Sequence, residues 1–218
     1  RQPRELYHPD VAEAAELFGQ GEGCYPARAL WHGGDALGAL VRLGLRTALS
    51  ADAVLDAARA LDALAAQSLE HADGGSARGN GASALDAGEV AAASVRARAL
   101  ALVAYVDARA RSLLGDGGVG VGSASGAART PLAAELARLR WMPVHCVPPA
   151  KAAHLPWPAP GRGGALAPVA APAHCRPRRD AALVSATMRL AAVDVHSAEL
   201  RALLRWDAPP PAEALVEQ

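Results

Sequence analysis

Residues 139–157 read Leu139-Arg-Trp-Met-Pro-Val-His-Cys-Val-Pro-Pro-Ala-Lys-Ala-Ala-His-Leu-Pro-Trp157, and they hold two pairings of tryptophan with proline, Trp141-x-Pro143 and Pro156-Trp157. Aromatic residues make up only 4% of the chain. A proline deletes a backbone donor and fixes φ, and an indole is useful only where it is buried or at an interface. The two pairings therefore mark a packed corner, with Trp141 and Trp157 both buried and close to one another. Trp141, Pro143, Pro156, Trp157 and, further on, Trp206 are the expected structural anchors.

Working outward, Thr130 and Pro131 form an N-cap and N1 proline. They open a helix with Leu132, Leu136 and Leu139 on its buried stripe. That helix runs into a short strand, Trp141-Met-Pro-Val144. Residues 145–180 are Pro-rich and extended, and Ala182–Val193 is the best candidate for a buried strand or strand pair. Segments 141–147, 165–170 and 182–193 are expected to make one small sheet. Ser197 caps a last helix carrying Leu200, Leu203 and Leu204, closed by Trp206 and the Pro209-Pro210-Pro211 run.

The N-terminal part reads as helices. Val11–Phe18 is a short amphipathic one, and Asp35 caps a second with Leu37, Leu40 and Val41, stopped by Gly44. Ser50 caps a third, with Val54, Ala58, Leu61 and Ala65 at helical spacing. A long helix over 86–114 carries Val90, Ala97, Leu100, Ala101 and Ala104 on its stripe. The predicted class is α+β, helix-dominated, with a small β-sheet in the C-terminal half. The organisation is 1–72 helical, 73–83 a flexible linker, 84–114 the long helix, 115–128 a Gly-rich low-complexity loop, and 129–218 helix plus small sheet.

The 218 residues suffice for one sizeable core, and the formal net charge is zero. A zero balance with no clustered basic face argues against a nucleic-acid footprint. No apolar run reaches the roughly 20 residues of a membrane span. Cys24, Cys146 and Cys175 are an odd number at irregular spacing, which is no disulfide framework and favours a reducing, cytoplasmic setting. The opening Arg-Gln-Pro-Arg and the closing Leu-Val-Glu-Gln read as cuts in a longer polypeptide.

Candidate chemistry is thin. His145-Cys146 and His174-Cys175 could be imagined as four zinc ligands, but adjacent ligands are poor zinc geometry. Cys146, His154 and Asp180 could form a thiol triad, yet Pro148-Pro149 forbid the helix N-terminus that would activate Cys146. Ser185 lacks the glycines of a nucleophile elbow. The Gly-Val-Gly-Val-Gly within 115–128 has no preceding strand and no following Lys-Ser/Thr, so it is read as linker and not as a phosphate loop. Arg176, Arg178 and Arg179 read as a solvated basic run.

Taken in order, six pieces resemble the repeating region of sacsin-like giant proteins, downstream of their heat shock protein 90-like ATPase module. They are Leu-Tyr-His-Pro-Asp at 6–10, Leu-Gly-Leu-Arg through Ala-Arg-Ala-Leu at 43–61, Leu-Arg-Trp-Met-Pro-Val at 139–144, and Leu-Pro-Trp at 155–157. Leu-Val-Ser-Ala-Thr-Met at 183–188 and Ser-Ala-Glu-Leu-Arg-Ala-Leu-Leu-Arg-Trp at 197–206 complete the series. His8 departs from the family's aspartate. The ATP-binding module itself is not in these residues. The resemblance implies a non-catalytic segment of a chaperone or co-chaperone in protein quality control, without a cofactor. The implied partners are other domains of the same polypeptide, heat shock protein 70-class chaperones and unfolded clients. The rival expectation is a thiol- or zinc-dependent enzyme using Cys146, Cys175 and the neighbouring histidines.

Overall fold

The structure, a computed structural model, describes residues 2–18, 24–31, 34–74, 81–115, 130–145, 168–184 and 188–212. Within them the chain is helix-dominated, with two minimal sheets in the C-terminal half. The helices are α1 (Ala12–Phe18), α2 (Gly34–Arg42), α3 (Ala51–Gly74), α4 (Gly81–Ala108), α5 (Ala110–Leu114), α6 (Pro131–Leu136), α7 (Ala181–Val184) and α8 (Ala198–Leu204). The strands are β1 (Met142–Pro143), β2 (Val169–Ala170), β3 (Cys175–Arg176) and β4 (Arg189–Leu190).

The caps form where the residue types call for them. The Ser50 hydroxyl accepts the Ala53 N–H at 3.3 Å, and the Thr130 hydroxyl accepts the Ala133 N–H at 3.2 Å with Pro131 at the first helical position. Gly44 takes φ +100° just past α2, the left-handed stop that a side chain resists. Asp35 lies inside the first turn of α2, where it complements the helix dipole rather than capping.

Helix α4 is the spine. It packs against α3, α1, β1 and β2. Val95, Ala99, Leu102, Val103, Val106 and, just past its end, Ala110 are buried at the spacing of one helical face. This corrects the expected stripe: Val90 is 71% exposed, and Ala97 and Ala104 also face outward. The facing stripe of α3, with Val54, Ala58, Leu61 and Ala65 buried, lies where the sequence puts it. The long helix starts at Gly81, earlier than expected, and breaks at Arg109 before α5. Helical turns therefore occupy both ends of the 73–83 stretch, since α3 runs to Gly74.

In the C-terminal half, β1 pairs antiparallel with β2, and β3 pairs parallel with β4. An isolated antiparallel bridge between Val144 and Ala191 joins the two. Pro143 lacks a donor but its carbonyl accepts the Ala192 N–H at 2.8 Å, so the strand loses nothing on that side. Two expectations need correction. Residues 182–193 are not a strand pair: Ala181–Val184 is a helical turn, and among the described residues of this stretch only Arg189–Leu190 forms a strand. The described part of the 145–180 stretch is not extended throughout, because 3-10 turns at Pro172–His174 and Arg178–Asp180 flank the extended pair β3.

Trp141 is completely buried and donates its indole N–H to the Leu136 carbonyl at 2.8 Å. Trp206 is 3% exposed and donates to the Cys175 carbonyl at 3.3 Å. Pro143 is buried in β1. Pro156 and Trp157 lie outside the described residues, as do Cys146, His154 and Ser185.

Candidate functional site

Of the sequence's chemical candidates, His145, His174, Cys175 and Asp180 fall within the described residues, beside β1, in β3 and in the turns next to β3. Cys175 is 1% exposed, its Sγ sits 3.6 Å from the Pro172 carbonyl, and burial pushes its thiol up to about 12. A nucleophile or zinc ligand must be a thiolate, so this environment favours the wrong form for either. His174 is exposed on the turn before it. His145 lies two residues past β1 and is half-buried. Desolvation, then Arg178 and Arg96, hold its imidazole below the ordinary histidine value. Positive neighbours oppose a metal cation at that ring as they oppose a proton. Among the described residues no group of three metal-ligating side chains converges.

Asp180, the third member of the imagined triad, has a different occupation. The Arg176 guanidinium grips it at 2.7 and 2.8 Å, and the same guanidinium donates to the Arg205 and Ala208 carbonyls at 2.8 and 2.7 Å. Arg179 adds a bond to the Trp206 carbonyl at 2.8 Å. The basic run is thus only partly solvated, which corrects its reading from sequence. Arg176 is a buried clamp, 5% exposed, that satisfies the carbonyls past the end of α8, while Arg178 stands in solvent.

A second constellation ties the N-terminal corner. Tyr7 stacks on Phe18 at 5.7 Å, and Arg46 lies over the Tyr7 ring at 5.4 Å while donating to its hydroxyl at 2.9 Å. A parallel bridge pairs Tyr7 with Arg46. The His8 Nδ1 accepts the Asp10 N–H at 3.2 Å, closing the turn as a short acidic side chain would. Between α1 and α4 lies an open hollow of about 220 Å³ lined by Glu13, Glu16, Leu17, Ala101, Tyr105 and Arg109. Arg109 covers the Tyr105 ring at 4.2 Å and pairs with Glu13 at 3.3 Å, so much of its charge is already matched internally.

The feature without an internal explanation is α2. Leu37, Leu40 and Val41 share one stripe, yet not one residue of the helix is buried. Val41 is 39% exposed and Leu43, immediately after it, 69%. Every other described helix of at least seven residues sends several side chains into the core. Sequence periodicity located this helix but could not show that, among the described residues, its apolar stripe stays at most half-buried. Among the described residues no helix is long and apolar enough to cross a membrane. Comparison with protein-family models, with curated proteins and with solved structures returns no match for this chain.

Proposed function

We propose that this chain is a non-catalytic interaction segment of a sacsin-like chaperone, working in the cytoplasm and using α2 to hold apolar segments of clients or neighbouring modules. The single observation that supports the reading is the open apolar stripe of α2. Exposing Val41 and Leu43 beside the half-buried Leu37 and Leu40 costs solvation free energy, and apolar side chains gathered at the surface are a mark of protein-binding surfaces. The arginine clamp and tryptophan anchors serve the scaffold, leaving that stripe to meet a partner.

The test is light scattering of a heat-aggregating client with the purified chain added. Weak suppression without ATP is expected, and a Val41→Ser/Leu43→Ser variant should lose it while keeping its helical circular dichroism, because both side chains are exposed. Suppression unchanged in the variant, or ATP turnover that scales with the purified chain, overturns the proposal.

A further inference from the structure

The apolar stripe of α2 ends in a corner that is basic as well as apolar. Arg42 closes the helix, and its guanidinium folds back to within 3.8 Å of where a Cβ on Gly38 would stand, one face away from the stripe. A Cβ on Gly44, the residue after the 69% exposed Leu43, would stand 3.6 Å from the Arg4 Cβ. The Arg4 carbonyl in turn accepts the Arg46 Nε–H at 2.8 Å. Three arginines therefore border Val41 and Leu43, two of them brought there by contacts between distant parts of the chain.

None of the three has an ion pair among the described residues, whereas Arg140, Arg176 and Arg201 each hold a carboxylate within 3.3 Å. Glu5 shares a turn with Arg4, but its carboxylate accepts the Gln2 N–H at 3.1 Å, and Asp35 lies at the opposite end of α2. Arg46 turns part of its charge to the Tyr7 ring, while Arg4 and Arg42 are exposed. Uncompensated cations at the edge of an apolar face select partners by charge, because they repel cations and steer and hold anions.

We propose that the segment held by α2 is acidic as well as apolar: its leucine-type side chains lie on Leu37, Leu40, Val41 and Leu43, and an Asp or Glu beside them meets Arg4 and Arg42. The inference rests on α2 being the binding surface and adds the selectivity of that surface. A peptide can reach the half-buried Leu37 and Leu40 from the side as well as the exposed pair, which a flat anionic bilayer cannot, so a protein segment fits the face better than a membrane.

Fluorescence anisotropy with the full chain tests it, using three labelled dodecapeptides that share leucines at helical spacing and carry Glu, Gln or Lys at the same remaining positions. In about 50 mM salt the Glu peptide should bind about fivefold tighter than the Gln peptide, and the Lys peptide weakest, with the preference fading as salt approaches about 0.5 M. Arg4→Gln/Arg42→Gln should bring the Glu peptide to the affinity of the Gln peptide without changing the latter, because both side chains are exposed. Equal binding of the three peptides, or a Glu preference that survives in the folded Arg4→Gln/Arg42→Gln variant, overturns the acidic partner and leaves the α2 surface standing. Binding of none, or binding unchanged by Val41→Ser/Leu43→Ser, overturns both. Tighter adsorption to phosphatidylserine vesicles than to any peptide assigns the corner to a lipid surface and overturns the proposal as well.

Discussion

Asp107 shows how much one side chain can organise. It sits near the end of α4 and receives the Ser197 hydroxyl at 2.6 Å, the Ser197 N–H at 2.8 Å and the His196 N–H at 3.0 Å. Ser197 occupies the N-cap of α8 but makes no cap bond of its own. The entry of α8 is therefore held by a carboxylate 90 residues earlier in the chain. Burial pushes the Asp107 carboxyl up, but the Ser197 hydroxyl and the two amides outweigh it and leave the carboxyl below its ordinary value of 3.8. A folded-state pKa below the unfolded one stabilises the fold fully above the unfolded value, and that contribution is lost as pH falls through the folded one. Asp107→Asn should cost about 1–2 kcal/mol at neutral pH, and the gap between variant and wild type should close below about pH 4. Urea midpoints measured from neutral to acid pH for both proteins check this, and a gap independent of pH would refute it. Nothing near Asp107 in the sequence announces this role. Its partner lies far along the chain, and a lone aspartate at a helix C-terminus reads only as an unfavourable charge against the dipole.

The elements differ in how much their sequences disclose, and helix ends show why. Gly44 is legible as the stop of α2 because only glycine adopts φ +100° at little cost. Arg205 is not legible: it takes φ 56° at the end of α8 with an exposed side chain, a conformation that costs an L-residue about 1 kcal/mol. The fold enforces it through bonds on both sides. The Trp206 N–H reaches the Arg201 carbonyl at 3.0 Å, and Arg176 and Arg179 hold the carbonyls that follow. Arg205→Gly should therefore stabilise the protein by up to about 1 kcal/mol, read as a raised denaturant midpoint with unchanged slope. Destabilisation would mean that the Arg205 side chain makes a contribution the bonds do not account for. The stripes tell a similar story. In α3 aspartate and arginine mark the outer face, so the buried one is readable. In α4 alanine and valine surround the helix, and tertiary packing selects 95, 99, 102, 103 and 106 over the expected positions. The short strands could be sensed at Trp141–Val144, where aromatic and proline converge, but not at Cys175–Arg176, where two residues carry no periodicity.

At the scale of the molecule, α4 joins the helical N-terminal part to the small sheets, because it packs on α1 and α3 as well as on β1 and β2. The helix-dominated α+β class was readable from caps and stripes, whereas the candidate binding surface was not. The exposure of α2 depends on what the rest of the fold leaves uncovered, which no local pattern within the helix records. Long-range closure also determines what the Gly-rich stretch after α5 contributes. Residues 116–129 lie outside the described residues, but their flanks meet: a Cβ on Gly115 would stand 3.5 Å from the Thr130 Cγ2. Gly115 takes φ +81° to end α5, and Thr130 caps α6, so each flank is finished locally. The intervening segment then has only a short gap to span, and its length adds closure entropy in the unfolded-to-folded step. Shortening fourteen residues to a four-residue Gly/Asn/Ser turn should lower that cost by about 1 kcal/mol. The shortened protein should therefore melt cooperatively, at or slightly above the wild-type midpoint, with both helix ends intact. A lost transition, or a midpoint lowered by several degrees, would show that residues 116–129 make contacts on which the core depends.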